Sequence, residues 1–209
     1  MIKVYTLRYE LELLTGLHIG GYESTFDIGG ADSSVIKNPL NRKPYIPGSS
    51  IKGKLRALLS YKYGEPKDGA LEFEDKEILN IFSAIESDDK NKPNITRAIF
   101  RDLNLTSGSI VNLEKMLGKG IFTEIKAENR IDAFSGKSLS PRFIERVPAG
   151  VVFEGEINLI RFEGDNIKKM KSLIEESLDL LELNYLGGSG SRGYGRVKIK
   201  KEDWINENI

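Results

Sequence analysis

Residues 5–13 alternate without a break. Tyr5, Leu7, Tyr9, Leu11 and Leu13 fall on one side, and Thr6, Arg8, Glu10 and Glu12 on the other. Successive side chains of a strand point to opposite faces, so this run specifies a half-buried β-strand. Two later stretches change period. Ile51, Leu55, Leu58 and Leu59 predict a helix over 49–63, with a serine at its start able to cap it. Ile167, Met170, Ile174, Leu178 and Leu181 predict a second helix over 166–185. Further strands are expected at 96–105 and 151–162, and a last one where Val197 and Ile199 alternate with Arg196, Lys198 and Lys200.

Strand, helix, strand, strand, helix, strand is the order of the ferredoxin-like split βαβ arrangement. The expectation is therefore an α+β fold with an RNA-recognition-like palm. Two stretches interrupt it within a single domain over 1–209. Residues 64–93 are acidic, bounded by Gly/Pro signals, and hold one short helix around Ile78, Leu79 and Phe82; they read as a small helical insertion. Residues 121–148 alternate briefly, then become polar and Arg-rich until Pro148, a second insertion. The chain lacks an aromatic-rich stretch of the type that stacks bases in ordinary RNA-recognition modules, so any RNA must bind through loops and insertions.

Lys plus Arg and Asp plus Glu both number 31, a net charge of zero that argues against a nucleic-acid partner only on average. The balance is +4 over residues 1–64, −5 over 65–92 and +3 over 93–150, which allows a basic face on a neutral molecule. The absence of cysteine excludes disulfides and thiolate metal sites. No apolar run approaches a membrane span, and residues 1–15 alternate where a signal peptide would be continuous, so the expected location is the cytoplasm with no membrane partner.

Two segments imitate nucleotide-binding signatures. Gly48 to Lys54 fits GxxxxGK, but Leu55 replaces the hydroxyl residue that would hold magnesium, and KPYIP before it is too short and proline-bound for a buried strand. Gly188 to Gly193 fits GxGxxG, but it follows a helix and precedes a strand, the reverse of a dinucleotide unit. What survives is a helix start and a glycine-rich loop, each suited to approach by a phosphodiester chain. Lys52, Lys54 and Arg56 lie mostly off the helix's apolar stripe, and Arg192 and Tyr194 are presented by the loop. His18, the single histidine, is either a general base or the maker of a structural or phosphate-side hydrogen bond. Asp32, in a loop opened by Gly29 and Gly30, is either a magnesium ligand completed by phosphate oxygens or a turn-stabilising side chain.

Three ordered blocks carry a family resemblance: IGGADSSVIKNPLNRKPYIPGSSIKGKLR at 28–56, IERVPAGVVFEGEI at 144–157 and LGGSGSRGYGRV at 186–197. They resemble the RAMP-type backbone subunits of type III-A CRISPR complexes, over nearly the whole chain; the acidic stretch 64–93 matches no motif of that family. The resemblance implies a subunit stacked in several copies along a CRISPR guide RNA, with neighbouring copies of itself, target RNA and other type III-A subunits as partners. It implies cleavage of target RNA within the assembled complex, with Asp32 as the catalytic and metal-binding residue and Mg2+ or another divalent cation as cofactor. A non-catalytic scaffold and a guide-processing enzyme using His18 are the alternatives. RNA contacts are implied for Ser49, Ser50, Lys52, Lys54 and Arg56 at the helix start, and for Gly188, Gly190 and Arg192 in the late loop. His18 and Arg130 complete that set. The segment from Glu124 to Arg146 resembles a thumb hairpin that pushes between paired nucleotides.

Overall fold

The computed structural model describes residues 3–21, 32–67, 70–72, 75–82 and 95–208. Its elements are β1 (Lys3–Leu13), β2 (Tyr45–Ile46), α1 (Gly48–Tyr63), β3 (Glu65–Lys67), β4 (Ala70–Glu72) and α2 (Lys76–Phe82). There follow β5 (Ala98–Phe100), β6 (Leu103–Leu105), α3 (Ser107–Leu117), β7 (Glu124–Ile131), β8 (Ser138–Arg146), β9 (Val152–Arg161), α4 (Ile167–Glu182), β10 (Val197–Lys201) and β11 (Ile205–Asn208). The sheet runs β10-β1-β9-β6-β2, with β5 also on β9 and β11 on the far end of β1. All these pairs are antiparallel. With β5 and β6 as the second strand, this is the ferredoxin-like order 4-1-3-2, and the α+β expectation holds.

The alternation in β1 decides which face is covered. Leu7, Tyr9, Leu11 and Leu13 are buried, together with Ile51, Leu55, Leu58 and Leu59 of α1 and Met170, Leu173, Ile174, Leu178 and Leu181 of α4. The opposite face is charged. Arg8 lies opposite Glu156, and Glu10 stands between Glu154 and Lys200. That is the face on which an ordinary RNA-recognition module stacks bases; here its carboxylates oppose a polyanion. Among the described residues no helix is long and apolar enough to cross a membrane.

The short helix expected around Ile78, Leu79 and Phe82 is present as α2, and two other local outcomes differ from expectation. The stretch read as an acidic insertion gives Ile78, Ile81 and Phe82 to the core, with Phe82 stacked on Phe100 of β5 at 5.6 Å. Helix α3 has no counterpart in the sequence reading, although Thr106 caps it by accepting from the Ser109 N–H. Helix α1 is not capped by a serine: Pro47 precedes it, and the Gly48 N–H donates to Asp102 Oδ1 at 2.7 Å. A carboxylate is the favoured group at the positive end of a helix. The chain crosses so closely there that a β-carbon on residue 48 would stand 2.1 Å from the Phe100 carbonyl oxygen.

Strands β7 and β8 form a two-stranded hairpin outside the main sheet, with an irregularity between Glu128 and Arg130. Its base is tied to the palm by one buried carboxylate. Glu145 Oε2 accepts from the Val35 N–H at 2.8 Å, while Oε1 accepts from Lys37 Nζ and from Thr123 Oγ1, both at 2.5 Å. Burial raises the Glu145 pKa, but the bonds from Lys37, Thr123 and Val35 outweigh it and leave the group below the usual glutamate range.

Two stability measurements follow from this packing. Gly48→Ala should lower unfolding free energy by about 2 kcal/mol or more, because backbone must move. Asp102→Ala should cost about 1 kcal/mol, the worth of a cap, and urea melts would rank the two. Glu145, depressed when folded, adds stability that is present above its unfolded pKa and lost as pH falls through the folded value. Below about pH 4.3, wild-type stability should therefore fall more steeply than that of Glu145→Gln; parallel curves would contradict the assignment.

Candidate nucleic-acid interface and cleavage cleft

The residues after Gly29 and Gly30, which lie outside the described residues, are held between two neighbours. Gly20 bridges to Val35 on one side, and Ser33 bridges to Ile144 of the hairpin on the other. Asp32 closes this arrangement with a reciprocal pair. Its N–H donates to the Phe143 carbonyl at 2.8 Å, and its Oδ2 accepts from the Phe143 N–H at 2.7 Å. Among the described residues the carboxylate of Asp32 thus has a long-range role, holding the hairpin through Phe143. The side chain stays exposed.

His18 sits behind this loop. Its Nδ1 lies 2.7 Å from the Glu145 carbonyl oxygen, which can only accept, so Nδ1 carries a hydrogen. Nε2 is 3.1 Å from Ser33 Oγ. Both ring nitrogens are engaged by the protein, as a structural histidine requires and as a base poised for substrate does not. The Gly188 N–H donates to the His18 carbonyl at 2.8 Å, bringing the late glycine-rich loop against the same segment.

That loop is fixed by its aromatic residues. Tyr194 is buried, and its hydroxyl donates to Glu128 Oε1 of β7 at 2.7 Å. Burial and this bond push the phenol up to about 12, while the bond pulls Glu128 below its usual value. Lys126 and Arg146 approach the same ring at 4.6 and 5.3 Å. Tyr185 packs so tightly that a β-carbon on Gly190 would lie 2.0 Å from its ring. The Lys54 ammonium stands 3.7 Å from the Tyr185 ring centroid, and burial lowers the Lys54 pKa. Helix α1 and the glycine-rich loop therefore form one continuous edge.

A cleft of about 340 Å³ opens where these parts meet, lined by His18, Asp32, Ser33, Arg142, Ile144, Ser189 and Arg192. Arg192 donates to Ser189 Oγ at 2.5 Å and reaches Glu128 at 3.6 Å. The sequence-predicted His18, Asp32 and Arg192 share this space, and Gly188 and Gly190 flank Ser189 in sequence. Ser49, Ser50, Lys52, Lys54 and Arg56 lie outside it on α1. There the Gly48 N–H is taken by Asp102 and the Ser50 N–H by the Pro47 carbonyl, so neither of these helix-start amides is open to an anion. The side chain of Arg130 is outside the described residues. Ser33, Arg142 and Glu145 escaped the sequence reading, although a glutamate set between Ile144 and Val147 was a visible sign of a paired buried charge.

No three His, Asp or Glu side chains cluster as a metal-binding group among the described residues. Asp32 supplies one exposed oxygen donor, chemistry that suits a hard divalent cation whose remaining ligands are waters and phosphate oxygens.

Comparison with known proteins places this architecture. The RAMP superfamily pattern matches residues 10–198. A relative named CRISPR system Cms endoribonuclease Csm3, from Streptococcus thermophilus, is 42% identical over 194 residues, which is 92% of this chain and 85% of that protein. One of the same name from Methanothermobacter thermautotrophicus is 36% identical over 209 residues, covering 95% of this chain and 84% of that one. Among solved structures, the Csm3-Csm4 subcomplex of the type III-A CRISPR-Cas interference complex aligns with a TM-score of 0.56 at 29% identity, over 98% of this chain and 80% of that one. With its palm, its hairpin and nearly its whole length matched, this chain belongs to the RAMP superfamily and, within it, to the Csm3 family.

Proposed function

We propose that this protein is a guide-RNA-binding backbone subunit of a type III-A CRISPR complex and cleaves target RNA at Asp32 with the help of a divalent cation. The observation that carries the reading is the cleft itself: one exposed carboxylate, Asp32, faces two arginines at the junction of loop, hairpin and glycine-rich turn. The likeness to proteins named Csm3 endoribonuclease supports an RNA-cutting activity, and the likeness to a Csm3-Csm4 subcomplex supports action inside an assembly, for which this reading takes the cytoplasm as the location. Stacked copies of this chain, guide RNA, target RNA and the remaining type III-A subunits are the partners this reading requires.

RNA brings its own nucleophile. A 2′-oxygen attacks the adjacent phosphorus, the P–O5′ bond breaks, and the proton lost by the hydroxyl is balanced by one gained at the 5′-oxygen. The products are a 2′,3′-cyclic phosphate and a 5′-hydroxyl. The protein's task is to impose in-line geometry and to stabilise charge. Asp32 would hold Mg2+ or a similar ion, which supplies positive charge at the phosphate oxygens. In this reading the hairpin of β7 and β8 separates paired nucleotides; Phe134, between its strands, is fully exposed.

A second reading has its own observation. The bond from the Phe143 N–H to Asp32 gives the carboxylate a structural task, as a non-catalytic scaffold would need. Asp32→Asn separates the two, because an amide oxygen still accepts from Phe143 while the charge is gone. In the reconstituted complex this variant should bind target within about threefold of wild type and cut at least about 100-fold more slowly, the scale of losing one key electrostatic group. Normal cutting by this variant would remove Asp32 from catalysis; a wild-type assembly that binds target yet leaves it intact with magnesium or manganese would leave only the scaffold. Chelation with EDTA should stop cutting and spare binding. The basic edge predicts strongly salt-dependent RNA affinity with little sequence preference. If Lys52 and Arg56 each neutralise one phosphate, their double alanine variant should flatten the log-affinity against log-salt slope by roughly 1.4; an unchanged slope would remove α1 from the RNA path.

A further inference from the structure

The cleft holds a second charged group that neither the motif reading nor the fold assigns. We propose that Arg142 is a catalytic residue of the Asp32 site, placing its guanidinium against the scissile phosphate and stabilising the charge that develops there. The inference rests on the Asp32 reading and adds a residue to it.

Three observations carry it. Arg142 and Ile144 are two apart in β8 and both line the cleft, as alternation along a strand requires. Ile144 is buried, so the strand is anchored immediately beside the position of Arg142. Phe143, between them, holds Asp32 in place through its backbone N–H and carbonyl. One strand therefore fixes the acid and presents the base-independent cation at adjacent positions.

The other cations nearby are committed. Arg192 is engaged by Ser189 and Glu128, Arg146 by Glu124 at 2.7 Å and by the face of Tyr194, and Lys37 by Glu145. Arg142 is exposed and makes no ion pair with any described residue. An arginine left unpaired beside a carboxylate, in a space wide enough for a phosphodiester, suits bidentate contact with two phosphate oxygens. It neither gives nor takes a proton, so the balance of the transesterification is unchanged; its contribution is to the charge of the pentacoordinate phosphorus.

The test uses the assembled complex with guide RNA, at saturating target and single turnover, comparing wild type, Arg142→Ala, Arg142→Lys and Asp32→Asn. Arg142→Ala should assemble and bind target within about threefold, yet cut on the order of 100-fold more slowly, as for loss of one charge-stabilising donor. Arg142→Lys should recover part of the rate, and added guanidinium should speed the alanine variant without affecting wild type. Wild-type cutting by Arg142→Ala, beside an inactive Asp32→Asn, overturns the proposal and spares the Asp32 reading. A loss confined to affinity, cured by saturation, also overturns it by making Arg142 a binding contact only. Unimpaired cutting by Asp32→Asn is the distinct failure, that of the reading on which the proposal stands.

Discussion

Everything that could act on RNA in this molecule depends on how a two-stranded hairpin is fastened to a ferredoxin-like palm. The hairpin pairs with no strand of the main sheet, and its outer surface exposes Ile125, Ile131, Phe134, Leu139 and Phe143. Apolar burial cannot fix its direction. The fastening is polar instead. Glu145 gathers the Val35 N–H, Lys37 and Thr123, its own carbonyl takes the His18 ring, and its own N–H donates to the Ser33 carbonyl at 3.1 Å. A buried carboxylate is tolerated only when such donors surround it, and removal of any one would leave a costly remainder. The same requirement makes the geometry specific, because only one docking of the hairpin supplies all the donors together.

Charge follows the same division of labour. The net charge is zero, yet the uncovered sheet face has Glu10, Glu154 and Glu156 in neighbouring positions on β1 and β9. The basic groups collect on the edge made by α1, the hairpin and the glycine-rich loop, where Lys54 rests on Tyr185 and Lys126 and Arg146 rest on Tyr194. Acid on the sheet disfavours RNA on the surface an ordinary RNA-recognition module would use, and base on the edge favours it there. This is why an average over the chain conceals the segregation of charge.

The palm was legible in the sequence because period is a local property. The alternation of β1 and the spacing of α1 and α4 are imposed by one buried face each, and a reader needs no tertiary knowledge to see them. The elements that escaped are those whose stability is borrowed from elsewhere. Helix α3 is short and buries little of itself beyond Ser109 and Leu113, and β11 exists by pairing with the first residues of β1. At the site, Asp32 could be singled out by its glycine-rich surroundings, but its true partner is Phe143, 111 residues away. The helix start of α1 looked like an anion site by its local chemistry, and it is one; the anion is Asp102, 54 residues on. Long-range partners of this kind leave no trace in spacing.

If Asp32 is the single acid of a nuclease centre, the hairpin is what would complete it. Asp32 belongs to the loop, Arg142 to β8 and Arg192 to the glycine-rich loop, and no two of them share an element. The hairpin nevertheless touches all three: Phe143 bonds to Asp32, Arg142 is its own, and Glu128 pairs with Arg192. A force that tilts the hairpin therefore moves each group of the cleft relative to the others. If RNA wedged against the exposed face of the hairpin is what positions the scissile phosphate, then binding and the alignment of Asp32 with its arginines are one mechanical event. The site would be incomplete in the free subunit by construction, since the phosphate that completes it arrives on the same strand of RNA that loads the hairpin.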